Sequence, residues 1–228
     1  MDSGRWLPHV CVLLAVGLTA LAGVASSDSF TLLLLAVSAV LIMVGGPLAA
    51  LLAVLAALPF WMMQIGVGGW IWSPLELALV ACAGVTALSA GRDVLRTRRF
   101  RALSSWMPPA DLTFLAGALA MVAVVSLAWV AEPSLRSDSI RSLRRTILEP
   151  MVVIPAASYA MRRGWQRPVC LWIVIPGLAV SVLAVVQFLL DRSTVDIGGF
   201  ARPMGTFTHP NNLAFYLERV IWFVPVGV

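Results

Sequence analysis

Residues 30–63 form one apolar run whose only interruption is Gly45-Gly46-Pro47. A helix crossing a hydrocarbon core of about 30 Å needs about 20 apolar residues, so such a run has to be counted in membrane crossings. Composition agrees. The 228 residues are 60% hydrophobic and 12% charged, with a mean hydropathy of +0.93, whereas a soluble domain is roughly a quarter charged. Too few charged groups remain to cover a water-facing surface, which excludes a soluble globular domain. The chain reads as an integral membrane protein: all-α, a polytopic bundle of transmembrane helices.

The same ruler predicts eight spans, at about 8–25, 30–45, 47–63, 74–90, 112–131, 147–161, 169–190 and 211–228. Proline lacks an amide donor and clashes with the preceding helical turn. Gly45-Gly46-Pro47 therefore predicts a tight hairpin between two short spans, with one long kinked helix as the competing reading. The first span has signal-peptide features, but further spans follow at once, so it reads as a retained helix. Residues 1–111 form an N-terminal group of helices with an arginine-rich loop, and residues 112–228 form a second group. Cys11, Cys82 and Cys170 each lie inside an apolar run, without CxxC or metal spacing. They read as buried small hydrophobes.

The net charge is +5, and every basic residue is Arg. The arginines sit in short segments between apolar runs, which speaks against nucleic acid and for membrane orientation. Residues 91–101 carry Arg92, Arg96, Arg98, Arg99 and Arg101 against Asp93 alone, and residues 162–168 carry Arg162, Arg163 and Arg167 with no acid. Both should be cytoplasmic by the positive-inside rule. Two spans separate them, so both can lie on one side, and the N-terminus with Arg5 falls on that side too. Segments 64–73, 132–146 and 191–210 then face outward. Trp6, Trp61, Trp70, Trp72, Trp106, Trp129 and Trp165 fall near span boundaries, as an aromatic belt requires.

Two outward segments carry candidate chemistry. Over 134–149, Ile140, Leu143 and Ile147 share one helical face, and Arg141, Arg144 and Arg145 share another. This predicts a short amphipathic helix at the outer membrane surface, capped by Asp138 or Ser137. Outward arginines run against the orientation preference. The plain explanation is headgroup contact plus an Arg145–Glu149 pair. The functional one is an anion site, because guanidinium groups form bidentate bonds to phosphates.

Segment 191–216 holds Gly198-Gly199, Arg202, Gly205, and then His209-Pro210-Asn211-Asn212. Pro210 suits the first turn of the last span, which puts His209 and Asn211 at a helix start, where free amides and the dipole favour anions. Arg202, His209 and Asn211 beside the Arg141–Arg145 stripe would suit a phosphorylated lipid-linked substrate. The plainer alternative is a capped loop. Glu218 and Arg219 follow inside the last span. Arg219 would lie roughly 13 Å below the helix start at 1.5 Å per residue, and an ionisable group at that depth needs a partner or a polar cavity.

The run Arg202-Pro-Met-Gly205-Thr206-Phe207-Thr208-His209-Pro210-Asn211-Asn212-Leu213-Ala214 resembles the Gly-x-Phe-x-x-Pro-Asn signature of the O-antigen ligase and polymerase family. The upstream Arg141-Ser-Leu-Arg144-Arg145-Thr-Ile-Leu148-Glu149-Pro150 is similar to that family's arginine-rich segment before a Glu-Pro helix start. The resemblance covers about residues 112–228. It implies about a dozen spans, a late external loop, and transfer of a glycan from a polyprenyl pyrophosphate to a lipid or glycan acceptor in cell-surface polysaccharide assembly, such as that of lipopolysaccharide. It implies no metal and no cofactor. Arg141, Arg144, Arg145, Arg202, Asn211 and Arg219 would be pyrophosphate-binding, with His209 as the catalytic candidate. The family's late external loop and its own histidine have no counterpart here, so the chain is expected to be the N-terminal portion of a longer enzyme, inactive alone, in the bacterial inner membrane. The other functions weighed are a multispanning transporter or flippase of a lipid-linked or anionic substrate, and a non-catalytic scaffold.

Overall fold

The computed structural model describes residues 3–25, 27–60, 63–67, 70–97, 113, 116–117, 119–122, 149–190, 192, 194–197, 200–207 and 210–223. Six helices carry most of them: α1 (Ser3–Val24), α2 (Asp28–Ala57), α3 (Pro74–Thr97), α4 (Glu149–Arg162), α5 (Gln166–Leu189) and α6 (Pro210–Ile221). A 3₁₀ turn, Leu58–Phe60, closes α2. The all-α expectation needs one correction. Two small antiparallel hairpins are present, β1 (Ile65–Val67) with β2 (Trp70–Trp72), and β3 (Thr194–Ile197) with β4 (Phe200–Pro203). Ile65 pairs with Trp72, and Val195 with Arg202. Both occupy expected outward segments, where β-branched and aromatic residues favour extended chain.

Among the described residues, three stretches are long and apolar enough to cross a membrane: Asp28–Phe60, Pro74–Thr97 and Gln166–Leu189. Trp6–Ala22 is a shorter apolar helix. The outward faces are apolar as well. On α5, Ile175, Leu178, Val182, Val185 and Leu189 are all exposed at helical spacing. Such a surface is compatible with residence in a membrane. The expected span 112–131 and the amphipathic helix of 134–149 lie largely outside the described residues. Glu149 does open a helix, with Pro150 in its first turn, where a missing N–H costs nothing.

The first membrane-length stretch is not straight. Gly46 has φ 73° and ψ −165°, a conformation essentially confined to glycine. An unbroken helix would set Phe60 about 48 Å from Asp28 at 1.5 Å per residue. Yet Ile65, five residues beyond Phe60, packs 3.8 Å from where a β-carbon of Gly23 would stand, next to the turn into α2. The two arms of α2, 28–45 and 47–57, therefore run back past each other. Gly45 is needed for the approach itself: a β-carbon there would lie 2.4 Å from that of Ala49 and 3.1 Å from that of Cys11. With the 3₁₀ turn included in the second, the arms are about 27 and 21 Å long, short for a hydrocarbon core of about 30 Å.

The second arm is the centre of the bundle. Every residue from Leu48 to Ala57 is buried, and α1, α3, α4 and α5 contribute Val12, Cys82, Ala160 and Trp172 to the same core. A helix that is apolar all round belongs in an interior, and Ala49, Ala50, Ala53, Ala56 and Ala57 let neighbours come close.

This packing sorts the connections to two ends. At one end lie both hairpins and the 3₁₀ turn. At the other lie the start of α1, the reversal at Gly46, and the arginine-bearing turns. The indole N–H of Trp172 donates to Nδ1 of His9 at 2.8 Å, tying the start of α5 to the start of α1. The helix α3 runs seven residues past the predicted span, so Arg92 and Arg96 sit on its last turns rather than in a loop. Cations there complement the carbonyl end of the helix dipole. A capping box starts α3: Ser73 N–H donates to the Glu76 carboxylate at 2.6 Å, and Glu76 N–H to Ser73 Oγ at 3.2 Å.

Candidate functional site

The segment from β3 to α6 is fixed to the bundle by a few side chains. Gln187, in the last turn of α5, holds Gly205 with both ends of its amide. Its Nε2 donates to the Gly205 carbonyl at 2.9 Å, and its Oε1 accepts the Gly205 N–H at 2.8 Å. Gly205 sits at φ +63°, and a β-carbon there would press to 3.1 Å on both Leu213 and Val180. Only glycine suits both the backbone and the space. The next residue, Thr206, donates its hydroxyl to the carbonyl of Pro59 at 2.5 Å. Phe207 is then buried with Val180, Ala184 and Leu213, its ring 5.4 Å from that of Tyr216. Three consecutive residues are thus anchored to α5, to the 3₁₀ turn and to α6.

This assigns the first part of the Gly-Thr-Phe-Thr-His-Pro-Asn string a structural task. Gly205, Thr206 and Phe207 face inward and carry the anchoring. Arg202, three residues before Gly205, is exposed on β4 opposite Val195. Pro210 begins α6 and is buried, and Asn211 follows it, exposed, in the first turn. A rigid scaffold therefore presents an arginine on one side of the clamp and a helix start on the other. The segment thus brings Arg202 and the first turn of α6 to the same end of the bundle.

The remaining predicted site residues divide. Arg141, Arg144, Arg145 and His209 lie outside the described residues. Arg219 is in the last turn of α6, exposed, about 13 Å from Pro210 along the axis. The buried side of α6 is made by Pro210, Leu213 and Val220, and Glu218 and Arg219 point away from it. Arg219 faces outward because Val220 occupies the inner face, so close to α5 that a β-carbon on Gly177 would lie 2.5 Å from it.

Sequence reasoning missed Gln187 and Thr206. Gln187 had a signal: it is the lone carboxamide in α5 after the first turn, otherwise almost wholly apolar, a few residues before a glycine-rich loop. Thr206 had none, because its partner Pro59 is remote in the chain.

At the opposite end, Arg92, Arg96, Arg162, Arg163 and Arg167 are all exposed, and the Arg163 guanidinium stands 5.1 Å from the centre of the Tyr159 ring. No group of His, Cys, Asp and Glu among the described residues has the arrangement of a metal site. Compared with known proteins, the chain matches no family model, no curated protein and no solved structure.

Proposed function

We propose that this chain belongs to a membrane glycan ligase or polymerase that takes its glycan from a polyprenyl pyrophosphate and passes it to a lipid or glycan acceptor outside the cytosol. The observation that carries the proposal is the anchoring of Gly205, Thr206 and Phe207 between Arg202 and the start of α6. An exposed arginine and a helix start flank a clamp at the end of the bundle opposite the exposed arginines of α3, α4 and α5. Applied to those arginines, the positive-inside rule makes the N-terminal end cytosolic and the clamp end external, in the inner membrane of a bacterium and with the eight predicted spans.

The chemistry follows from charge. Glycosyl transfer leaves a diphosphate on the polyprenyl carrier, and the negative charge on its bridging oxygen grows as the sugar departs. Guanidinium groups of Arg202, Arg141, Arg144 and Arg145, with Asn211 and the first amides of α6, would oppose that charge by charge-assisted hydrogen bonds. His209, immediately before Pro210, is the candidate for proton transfer. A transporter or flippase is the alternative. Transporters place broken helices at the membrane midplane, while the break at Gly46 lies at the end of the bundle, so nothing on α2 favours it.

The test has two parts. Single-cysteine labelling in cells should find positions 141 and 202 open to an impermeant reagent from outside, and positions 96 and 163 closed to it. Binding of a polyprenyl-pyrophosphate glycan to the purified chain should weaken for R202A and for R144A. Cytosolic labelling of position 202, or unchanged binding across R141A, R144A, R145A and R202A, would refute the proposal.

A further inference from the structure

An apolar cavity of about 470 Å³ lies between α1, both arms of α2, the β1–β2 hairpin and α3. About half of its lining is small side chains, among them Ala20, Ala39, Ala53, Ala56, Ala78 and Ala81. Two hydroxyls reach it, and both are spent on the backbone. Thr19 Oγ1 donates to the Ala15 carbonyl at 2.8 Å, and Ser38 Oγ to the Leu34 carbonyl at 2.8 Å. A water needs two to four polar partners to settle in a cavity, so this one is suited to hydrocarbon. Its size is that of a ligand pocket, and such pockets run from about 300 to 1,000 Å³.

Phe60, Met63 and Trp72 line the cavity at the hairpin end and form a rim there, Met63 and Trp72 being partly exposed. Phe60 is the residue after Pro59, whose carbonyl accepts the Thr206 hydroxyl. The segment that presents Arg202 and Asn211 is thus fastened one residue from the rim. A charged head group held by that segment has a greasy hole beside it.

We infer that the cavity holds the head-proximal isoprene units of the lipid carrier whose pyrophosphate is bound at 202–211. This rests on the donor assigned under the proposed function. With about 30 Å³, the liquid volume of a water, for each methylene-sized group, the cavity takes on the order of fifteen carbons, or three isoprene units. A wall of alanines also leaves breadth for a methyl branch on every unit. The remainder of the chain leaves past Val80, which lines the cavity and is exposed on the bundle surface.

The experiment uses the purified chain in phospholipid nanodiscs and two photoreactive probes. One is a polyprenyl phosphate with a diazirine in its second isoprene unit, and the other is phosphatidylglycerol with a diazirine in an acyl chain. The polyprenyl probe should label peptides spanning 53–60 and 77–81. Unlabelled polyprenyl phosphate should remove that label, and excess phosphatidylglycerol should not. A56F, which fills the cavity from its central wall, should cut the label about tenfold, the equivalent of about 1.4 kcal/mol of binding. A56L gives the same direction with less bulk if the larger side chain disturbs folding. Labelling of the cavity by phosphatidylglycerol, with the polyprenyl probe excluded, overturns the inference in favour of an ordinary bilayer acyl chain. Polyprenyl labelling confined to other segments overturns the cavity assignment and leaves the donor assignment standing. Absence of specific polyprenyl labelling anywhere on the chain overturns both.

Discussion

Thr206 donates its hydroxyl to the main-chain carbonyl of Pro59, 147 residues earlier in the chain. Pro59 follows α2, where helix-end carbonyls have no partner within the helix, so the bond serves both ends. T206V keeps the shape and removes the donor. It is expected to lower unfolding stability by about 1–2 kcal/mol, the usual cost of orphaning one partner. T206S should keep most of the stability. Thermal unfolding of the purified chain in detergent decides the order of the three proteins.

Gln187 satisfies two backbone groups of Gly205 at once. Q187L leaves both without a partner and should cost about 2 kcal/mol. Q187E retains an acceptor for the Gly205 N–H but turns a carboxylate oxygen toward the Gly205 carbonyl. It should be at least as damaging as Q187L. The readout is the rate of limited proteolysis between residues 192 and 209, which should rise for both variants without a matching rise near residue 97.

Gly46 reverses α2 through a backbone conformation that side chains avoid. G46A should lose about 1–3 kcal/mol. G17A is the control, since nothing lies within 4 Å of an added β-carbon on that α1 residue. It should be neutral or slightly stabilising, by about 0.5–1 kcal/mol. Equal melting temperatures for G46A and G17A would contradict the hairpin.

His9 and Trp172 join α1 to α5 at the arginine-bearing end. Nδ1 accepts the indole N–H, so the neutral ring carries its own proton on Nε2. A double-mutant cycle with H9L and W172F should return a coupling of about 1 kcal/mol. Additive losses would mean that the rings only pack, at a centroid separation of 6.1 Å.

Much of the helical plan was legible because long apolar runs have few alternatives to helix. Backbone groups in hydrocarbon must be satisfied within the segment, so long apolar runs become helices. The starts of α3 and α6 were marked by Ser73-Pro-Leu-Glu76 and by Pro210. Gly45-Gly46-Pro47 predicted a hairpin, with one long kinked helix as the competing reading, and the chain reverses at Gly46. Of the site, the helix start at Asn211 was legible, while the strand that carries Arg202 was not. Periodicity on a short helix does not say which face another helix will take.

Residues 30–45 and 48–57 are equally apolar on paper, yet the first lies at the periphery and the second is buried on every side. Hydropathy records how willingly a segment leaves water; it cannot record which segment the others will surround. That was settled by packing: alanines on the second arm admit α1, α3, α4 and α5 to close range. The clamps on Gly205 and Thr206 belong to the same class. A hydrogen bond between groups distant in sequence leaves no local trace, because its geometry exists only once the helices that carry its ends have met.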